Sequence, residues 1–437
     1  MTSILATPKD WPSVLLARAG AKDPTDLDEA LEAGAFEGLR RAIRELGPEG
    51  TIAEVQASGL RGRGGAGHLT AAKWRTAAAT EARERFVVAN GYGADPAAAT
   101  DRTLIETDPY AVIEGATIAA FVIGAEQVYL SVRATSTETV RRLQAAVDAA
   151  SSRNFIGDDV LGSGRRIEVE VRPVQGAYML GEETVLLKAL DGKRGQPEQR
   201  PPHPATRGFH NAPTVVQNVQ TLAAVPAILT GKAGAAGTIL VDVRGHERGG
   251  VAEVPLGTPL DRIVALGGKP GAGRKLKAVV VGGPTGGILP PSQIGTPYTF
   301  EDLRSVGAHI GSGSVIVADE RACIVDLARL LTRYAADEAC GKTIPCRIGL
   351  RRIAEIGELL TTGTSRGGDL GLLEDLSKDV VGSALCDHER LATLPMMSGL
   401  RYFRDEVDAH YLRGECPAGV CRPIQLGAGA APVGATA

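Results

Sequence analysis

Cysteine is missing from the first 322 of the 437 residues; all six lie between Cys323 and Cys421. A disulfide framework spreads its cysteines through a small secreted domain, so this distribution argues against one and for metal or cluster chemistry near the C-terminus. Cys323 stands apart and reads equally well as a small buried hydrophobe. Long hydrophobic runs are also missing. The most membrane-like stretch, 115–125 (GATIAAFVIGA), is bounded by Glu114 and Glu126 and is too short to span a bilayer, which leaves a buried helix. The opening MTSILATPKDWPS lacks the basic segment and apolar run of a secretory signal. An excess of either charge is absent too: 48 Lys plus Arg against 51 Asp plus Glu gives a net charge of −3. Aromatics are 4% of the chain and none interleave with a basic block, which excludes a nucleic-acid footprint. A cytoplasmic protein is expected, placed at the cytoplasmic face of a membrane only through partners. No repeat at solenoid periods occurs.

What is present suits two or three globular domains, with 43% hydrophobic and 23% charged residues. Apolar residues at three- and four-residue spacing predict a helix over 26–46. A second helix is expected over 69–83, and a third over 140–150. Residues 85–90 (RFVVAN), 127–133 (QVYLSVR) and 166–174 (RIEVEVRPV) read as strands. Strand and helix signals taking turns predict an α/β domain with a largely parallel sheet. Residues 193–213, rich in Pro, Gly, Arg and His, make a long loop of the kind that often serves function. From 238 to 290 short β runs alternate with Gly and Pro turns, the pattern of a separate small β-rich domain. Helical patterns then dominate from about 315 to 410. The end, 426–437 (LGAGAAPVGATA), is low in complexity and is expected to be disordered.

Two motifs carry chemistry. Residues 59–67 read GLRGRGGAG, five glycines in nine residues, with Lys73 and Trp74 after them. Glycine lets backbone amides close on a phosphate, and the following helix aims its N-terminus at the same place. No Gly-Lys-Ser/Thr follows and no strand clearly precedes, so the loop is neither a Walker loop nor a clean Rossmann fingerprint. A flexible Gly/Arg surface loop that contacts a partner is the competing reading. Glu182 and Glu183, just after Gly181, are paired acids placed to bond ribose hydroxyls or a nicotinamide amide; acids at a helix N-terminus are the plainer alternative.

GLRGRGGAG with Lys73-Trp74, Asn90, Asp101-Arg102, Asp108-Pro109, Ile113-Glu114-Gly115, GAYMLGEETVLLKALDGKRGQP, PPHPATRGFHNAPTVVQNVQTLA, GGPTGGILP and GLRYFRDE together carry a resemblance. From about residue 26 to 421 the chain resembles the NADH-oxidising flavoprotein (F-type) subunit of complex I and its relatives in NAD-linked hydrogenases and formate dehydrogenases. The resemblance implies a multidomain α/β fold: N-terminal helices and an FMN/NADH-binding α/β domain over 1–236, a ubiquitin-like β-grasp (SLBB) domain over 237–312, and a helical iron–sulfur domain over 313–425. It implies FMN, NAD(H) as substrate and a [4Fe–4S] cluster. The partners it implies are a thioredoxin-like 2Fe–2S subunit and a larger iron–sulfur subunit. Hydride passes from NADH to the flavin, which hands single electrons to the cluster toward a quinone or another acceptor. Cofactor contacts are expected at Gly62, Arg63, Gly64, Gly65, Lys73, Asn90, Asp95, Tyr178, Gly181, Glu182, Glu183, Asn218 and Thr221, with Glu183 as the candidate catalytic residue.

The departures from the family cluster on the dinucleotide side. Phenylalanines that sandwich adenine in the family are His68, Thr76 and His203 here, and the acidic run after Asn90 is reduced to Asp95, with Tyr92 at the place of one lost acid. A flavin-binding electron-transfer or structural paralogue with lost or altered NADH binding is therefore the alternative reading. Cys340, Cys346 and Cys386 match three cluster ligands, while Thr343 stands where the family has the remaining cysteine. That leaves a four-iron cluster with a non-thiolate ligand, a three-iron cluster, or an empty site. His410, Cys416 and Cys421 are spaced as three ligands of a zinc ion, with no fourth evident.

Overall fold

The computed structural model describes residues 2–232, 237–245, 247–268 and 273–421; the tail at 426–437 lies outside the described residues. Four strands, β1 (Phe86–Gly91), β2 (Gln127–Arg133), β3 (Glu168–Val174) and β4 (Thr214–Asn218), form an all-parallel sheet in the order β3-β2-β1-β4. Chain order runs outward from β1 to β3 and then reverses to place β4 on the other flank of β1. The crevice at the carboxyl ends of β1 and β4 is thus a topological switch point, where open α/β sheets bind ligands. Asn90 and Asn218 lie at those ends and pair in register across the switch.

The helix Pro109–Ile123 is buried along its whole length, as its unbroken apolar run requires. Asp108 caps its start through the Ala111 amide at 3.0 Å. It crosses the helix Val219–Leu229 so closely that a Cβ on Gly115 would lie 1.9 Å from the Leu222 carbonyl oxygen. The single helix expected over 26–46 is interrupted. Leu27–Glu32 ends, Phe36 adopts φ +63°, and helix resumes at Glu37–Arg41 and a π turn, Ala42–Leu46, before a further helix, Gly47–Ala57. The cause lies far away in sequence. The buried Glu114 carboxylate accepts the amides of Phe36 at 2.7 Å and Leu39 at 3.0 Å, which caps a new start there.

The second sheet has the order β6-β5-β9-β7-β8, from β5 (Thr238–Arg244), β6 (Gly250–Pro255), β7 (Leu276–Val281), β8 (Gly287–Leu289) and β9 (Ser314–Asp319). Its first and last strands run parallel side by side in the middle and every other pairing is antiparallel, which is the β-grasp arrangement. The boundary expected at 312 falls short, because the strand beyond it is the centre of this sheet. The helices Ile324–Asp337, Leu350–Thr362, Asp369–Gly382, Leu394–Tyr402 and Arg404–Arg413 then pack around a core to which the β-grasp sheet adds Ala278, Val280 and Ile288. Among the described residues no helix is long and apolar enough to cross a membrane.

Candidate functional site

The glycine loop lies at the switch point. Arg61 and Leu69 pair across its base and Gly62 donates to the His68 carbonyl at 2.8 Å, after which the helix Thr70–Ala79 begins with no side-chain cap. The far side of the loop presses on the β-grasp domain. Gly67 has φ +70° and a Cβ there would stand 2.7 Å from the Phe300 ring, so this wall admits only glycine. Arg61 pairs with Glu301 at 2.7 Å and lies over the same ring.

The expected residues divide into those that face the crevice and those that build it. Lys73 reaches Glu183 at 2.8 Å and the Val216 carbonyl at 3.0 Å, and Arg200 meets the other Glu183 oxygen at 2.9 Å. Burial alone would push the Glu183 carboxyl up, but Lys73, Arg200 and His68 more than offset it and hold it below the usual range. Glu182 turns away. It caps the helix Glu183–Leu190 through the amides of Thr184 and Val185, both at 2.9 Å, which is the plainer of its two sequence readings. Asn90 donates to the Gly181 carbonyl at 3.2 Å, which ties the strand end to the acidic loop. Asn218 bonds Asp101 at 2.8 Å, and Thr221 accepts the Arg63 amide at 2.8 Å.

Three expected contacts point elsewhere. The Arg63 side chain is buried against the Thr238 carbonyl at 3.0 Å, and burial beside Arg61 lowers its pKa to about 10. Asp95 packs under Gly283 and Ser312 of the β-grasp domain. Tyr178 is locked between domains: its amide donates to Glu338 at 2.7 Å, its hydroxyl lies 3.3 Å from Thr285, and its ring meets Tyr334 and His388. Tyr92 is buried with its hydroxyl on the Gly176 carbonyl at 2.5 Å, a placement that leaves it no part in replacing the lost acid. His68, Thr76 and His203 are all exposed.

The cysteines form two groups, and no disulfide joins them. Cys340, Cys346 and Cys386 lie beside the acidic loop. Cys386 and Cys340 belong to the same apolar wall as Tyr92, Met179, Leu180, Val185 and Leu186, and Gln196 bonds the Cys340 carbonyl at 3.4 Å. Thr343 is with them and donates its hydroxyl to Glu389 at 2.7 Å. Burial, then the charges of Glu389, Cys386 and Cys340, pushes the Cys346 thiol up to about 12. This donor set of three soft thiols, two of them buried, and one buried carboxylate fits an iron–sulfur centre.

The second group gains a member that sequence spacing missed. The ligand atoms of Cys323, His410, Cys416 and Cys421 all lie within 4.8 Å of one another. His410 Nδ1 is 2.8 Å from the Glu406 carbonyl, which leaves Nε2 for the sulfurs. Burial would raise the Cys416 thiol, but the Cys421 and Val420 amides, the Cys421 thiol and His410 bring it down to about 6. Cys323 is 87 residues before His410, so no local spacing rule links them.

A Nuo51 FMN-binding domain model matches residues 55–227, and an NADH-ubiquinone oxidoreductase-F iron–sulfur binding region matches 326–410. The HndC subunit of an NADP-reducing hydrogenase from Solidesulfovibrio fructosivorans is 35% identical over 96% of this chain and 87% of its own length. The second F-type subunit of NADH-quinone oxidoreductase from Rhizobium meliloti is 34% identical over 92% and 99%. The chain belongs to the F-type flavoprotein family of NADH-quinone oxidoreductases. A solved NAD+-reducing [NiFe]-hydrogenase shares the fold with a TM-score of 0.81 at 30% identity, over 96% of this chain and 70% of that one. Membership of this family thus accounts for both the switch-point crevice and the neighbouring cysteine pocket.

Proposed function

We propose that this chain is the flavoprotein subunit of a larger redox assembly, in which FMN at the β1/β4 crevice takes hydride from NADH and electrons leave singly through the Cys340/Cys346/Cys386 centre. FMN supplies the conversion from two-electron to one-electron transfer. The chain's residues supply the rest. The glycine loop and the uncapped start of the helix Thr70–Ala79 receive the phosphate. Asn90 and Asn218 set the floor, and Lys73 and Arg200 fix Glu183 from two sides. Glu183 stays ionised at neutral pH, so it acts as a positioned acceptor rather than a proton donor. The observation that carries the reading is the wall shared by the acidic loop and Cys340 and Cys386, because electron transfer needs that proximity. The partners fitting this role are a thioredoxin-like 2Fe–2S subunit and a larger iron–sulfur subunit, at the cytoplasmic face of a membrane.

The exposed His68, Thr76 and His203 favour a second reading, in which flavin binds but NADH does not. The two separate in one experiment, the anaerobic addition of NADH to the FMN-loaded chain. Flavin bleaching supports the first; unbleached flavin that stays bound sinks it and leaves the second. If lost stacking is the cause, His68→Phe, Thr76→Phe and His203→Phe together should raise NADH affinity, each ring by about 0.5–1.5 kcal/mol, or roughly 2- to 10-fold.

Cys323, His410, Cys416 and Cys421 are read as a structural zinc site with Cys323 as the fourth ligand, a closed Cys3His set. The purified chain should carry one zinc per molecule, and Cys323→Ser should lose it and lower the melting temperature. Full zinc retention in that variant removes Cys323 from the set.

A further inference from the structure

The cysteine pocket lacks one thiolate, and the place is not vacant. Glu389 is 1% exposed, and its two carboxylate oxygens have one partner each: the Thr343 hydroxyl at 2.7 Å and the Leu385 amide at 2.8 Å. Thr343 holds the position of the family's missing cysteine, so the carboxylate is tethered to the corner where a ligand is lost. Glu389 also sits on the short helix Asp387–Leu391, whose N-cap residue is Cys386.

A helix-capping role is the simpler explanation, since Glu389 is in the first turn of Asp387–Leu391 and reaches back to an amide preceding it. Capping alone leaves two facts unexplained. Caps of this kind sit at the surface, whereas this one is buried, on the helix whose start is Cys386. A carboxylate buried beside thiols is also costly without a cation, and no Lys, Arg or His forms an ion pair with Glu389 among the described residues. The nearby Lys342 is spent on the Pro197 carbonyl and Glu198. An iron core resolves that imbalance, because it draws the thiolates and the carboxylate to one positive centre. A carboxylate has about four acceptor positions, so each oxygen can keep its hydrogen bond and still offer a lone pair.

We propose that Glu389 replaces the missing thiolate as the oxygen ligand of the fourth iron, with Thr343 as the positioning residue that orients its carboxylate. The inference rests on the iron–sulfur reading above. A hard oxygen donor on one iron makes that corner more labile than the three held by sulfur. It also alters the cluster's potential relative to an all-cysteine one.

The full chain, reconstituted anaerobically with iron and sulfide, tests this by iron and acid-labile sulfide analysis with EPR and Mössbauer spectra. Wild type should hold four irons per four sulfides, with one iron site distinct from the other three. Glu389→Gln keeps the shape and the cap but removes the anion; it should fall to three irons and give the EPR signal of an oxidised three-iron cluster. Thr343→Ala should keep four irons with a shifted signature for the distinct site. Thr343→Cys in the Glu389→Gln background should restore four irons in a uniform sulfur environment. A three-iron cluster in fully reconstituted wild type overturns the proposal, as does a Glu389→Gln variant with four irons and an unchanged spectrum. Loss of the cluster from wild type altogether overturns the iron–sulfur reading itself, whatever Glu389 does.

Discussion

At the scale of single residues, buried acids organise much of the structure, and two of them make stability depend on pH. Burial pushes the Glu114 carboxyl up to about 7, against the pull of the Phe36 and Leu39 amides and of Arg18. Its pKa is higher in the folded chain than the ordinary 4.5. The contribution of this group is therefore fully present below about pH 4.5 and is lost as pH rises through about 7. A shift of that size corresponds to about 3 kcal/mol at most. Asp101, raised to about 6 by burial despite Gln220 and Asn218, adds in the same direction. Urea midpoints measured from pH 5 to pH 8 should fall with rising pH in the wild type. They should fall less in Glu114→Gln, which keeps the shape without the charge. Parallel curves for the two proteins would place the dependence elsewhere.

At the scale of elements, the sequence carried what local chemistry decides and hid what distant partners decide. Strands over 127–133 and 166–174 were legible from alternation, and the buried helix around 115–125 from its length and its flanking acids. The helix break at Ala33–Phe36 was not, because Glu114 that causes it is far along the chain. Strand β4 was hidden at the edge of a loop rich in proline, where a five-residue strand buried on both faces shows no alternation. The candidate site divides the same way. Glycine, lysine and glutamate motifs announced the crevice, but only packing reveals that Arg63 and Asp95 serve the β-grasp contact. Cys323 and Glu389 have no local signal at all, since each is assigned by what lies beside it in space. The contact between the helices Pro109–Ile123 and Val219–Leu229 yields the sharpest test at this scale. Gly115→Ala places a methyl 1.9 Å from a backbone oxygen that cannot swing aside, so the helices must separate. A loss of about 1–3 kcal/mol or more is expected, read as a lower denaturation midpoint together with loss of bound FMN, because Asn218 caps the second helix. Unchanged stability would mean the helices part more easily than their packing indicates.

At the scale of the whole molecule, three domains meet on Tyr178. Its backbone belongs to the acidic loop of the α/β domain, its hydroxyl touches Thr285 of the β-grasp domain, and its amide and ring engage Glu338, Tyr334 and His388 of the helical domain. His388 is two residues from Cys386, so this junction fixes the cysteine pocket relative to the crevice. Glu338 is the charged link in it. Glu338→Ala removes a hydrogen bond to a charged acceptor, a contribution of about 1.5–3 kcal/mol, and leaves every residue of the crevice in place. Flavin bleaching by NADH should then keep its rate while delivery of electrons to the cluster slows, because the distance between the centres is no longer held. Rapid mixing under anaerobic conditions separates the two phases by their absorbance. Asp337→Ala is the control: this acid, next to Glu338, pairs with the exposed Arg333 and has no part in the junction, so both phases should match wild type. Equal slowing of both phases in Glu338→Ala would show that the helical domain shapes the crevice itself, and no slowing in either would show that the two domains keep their spacing without this link.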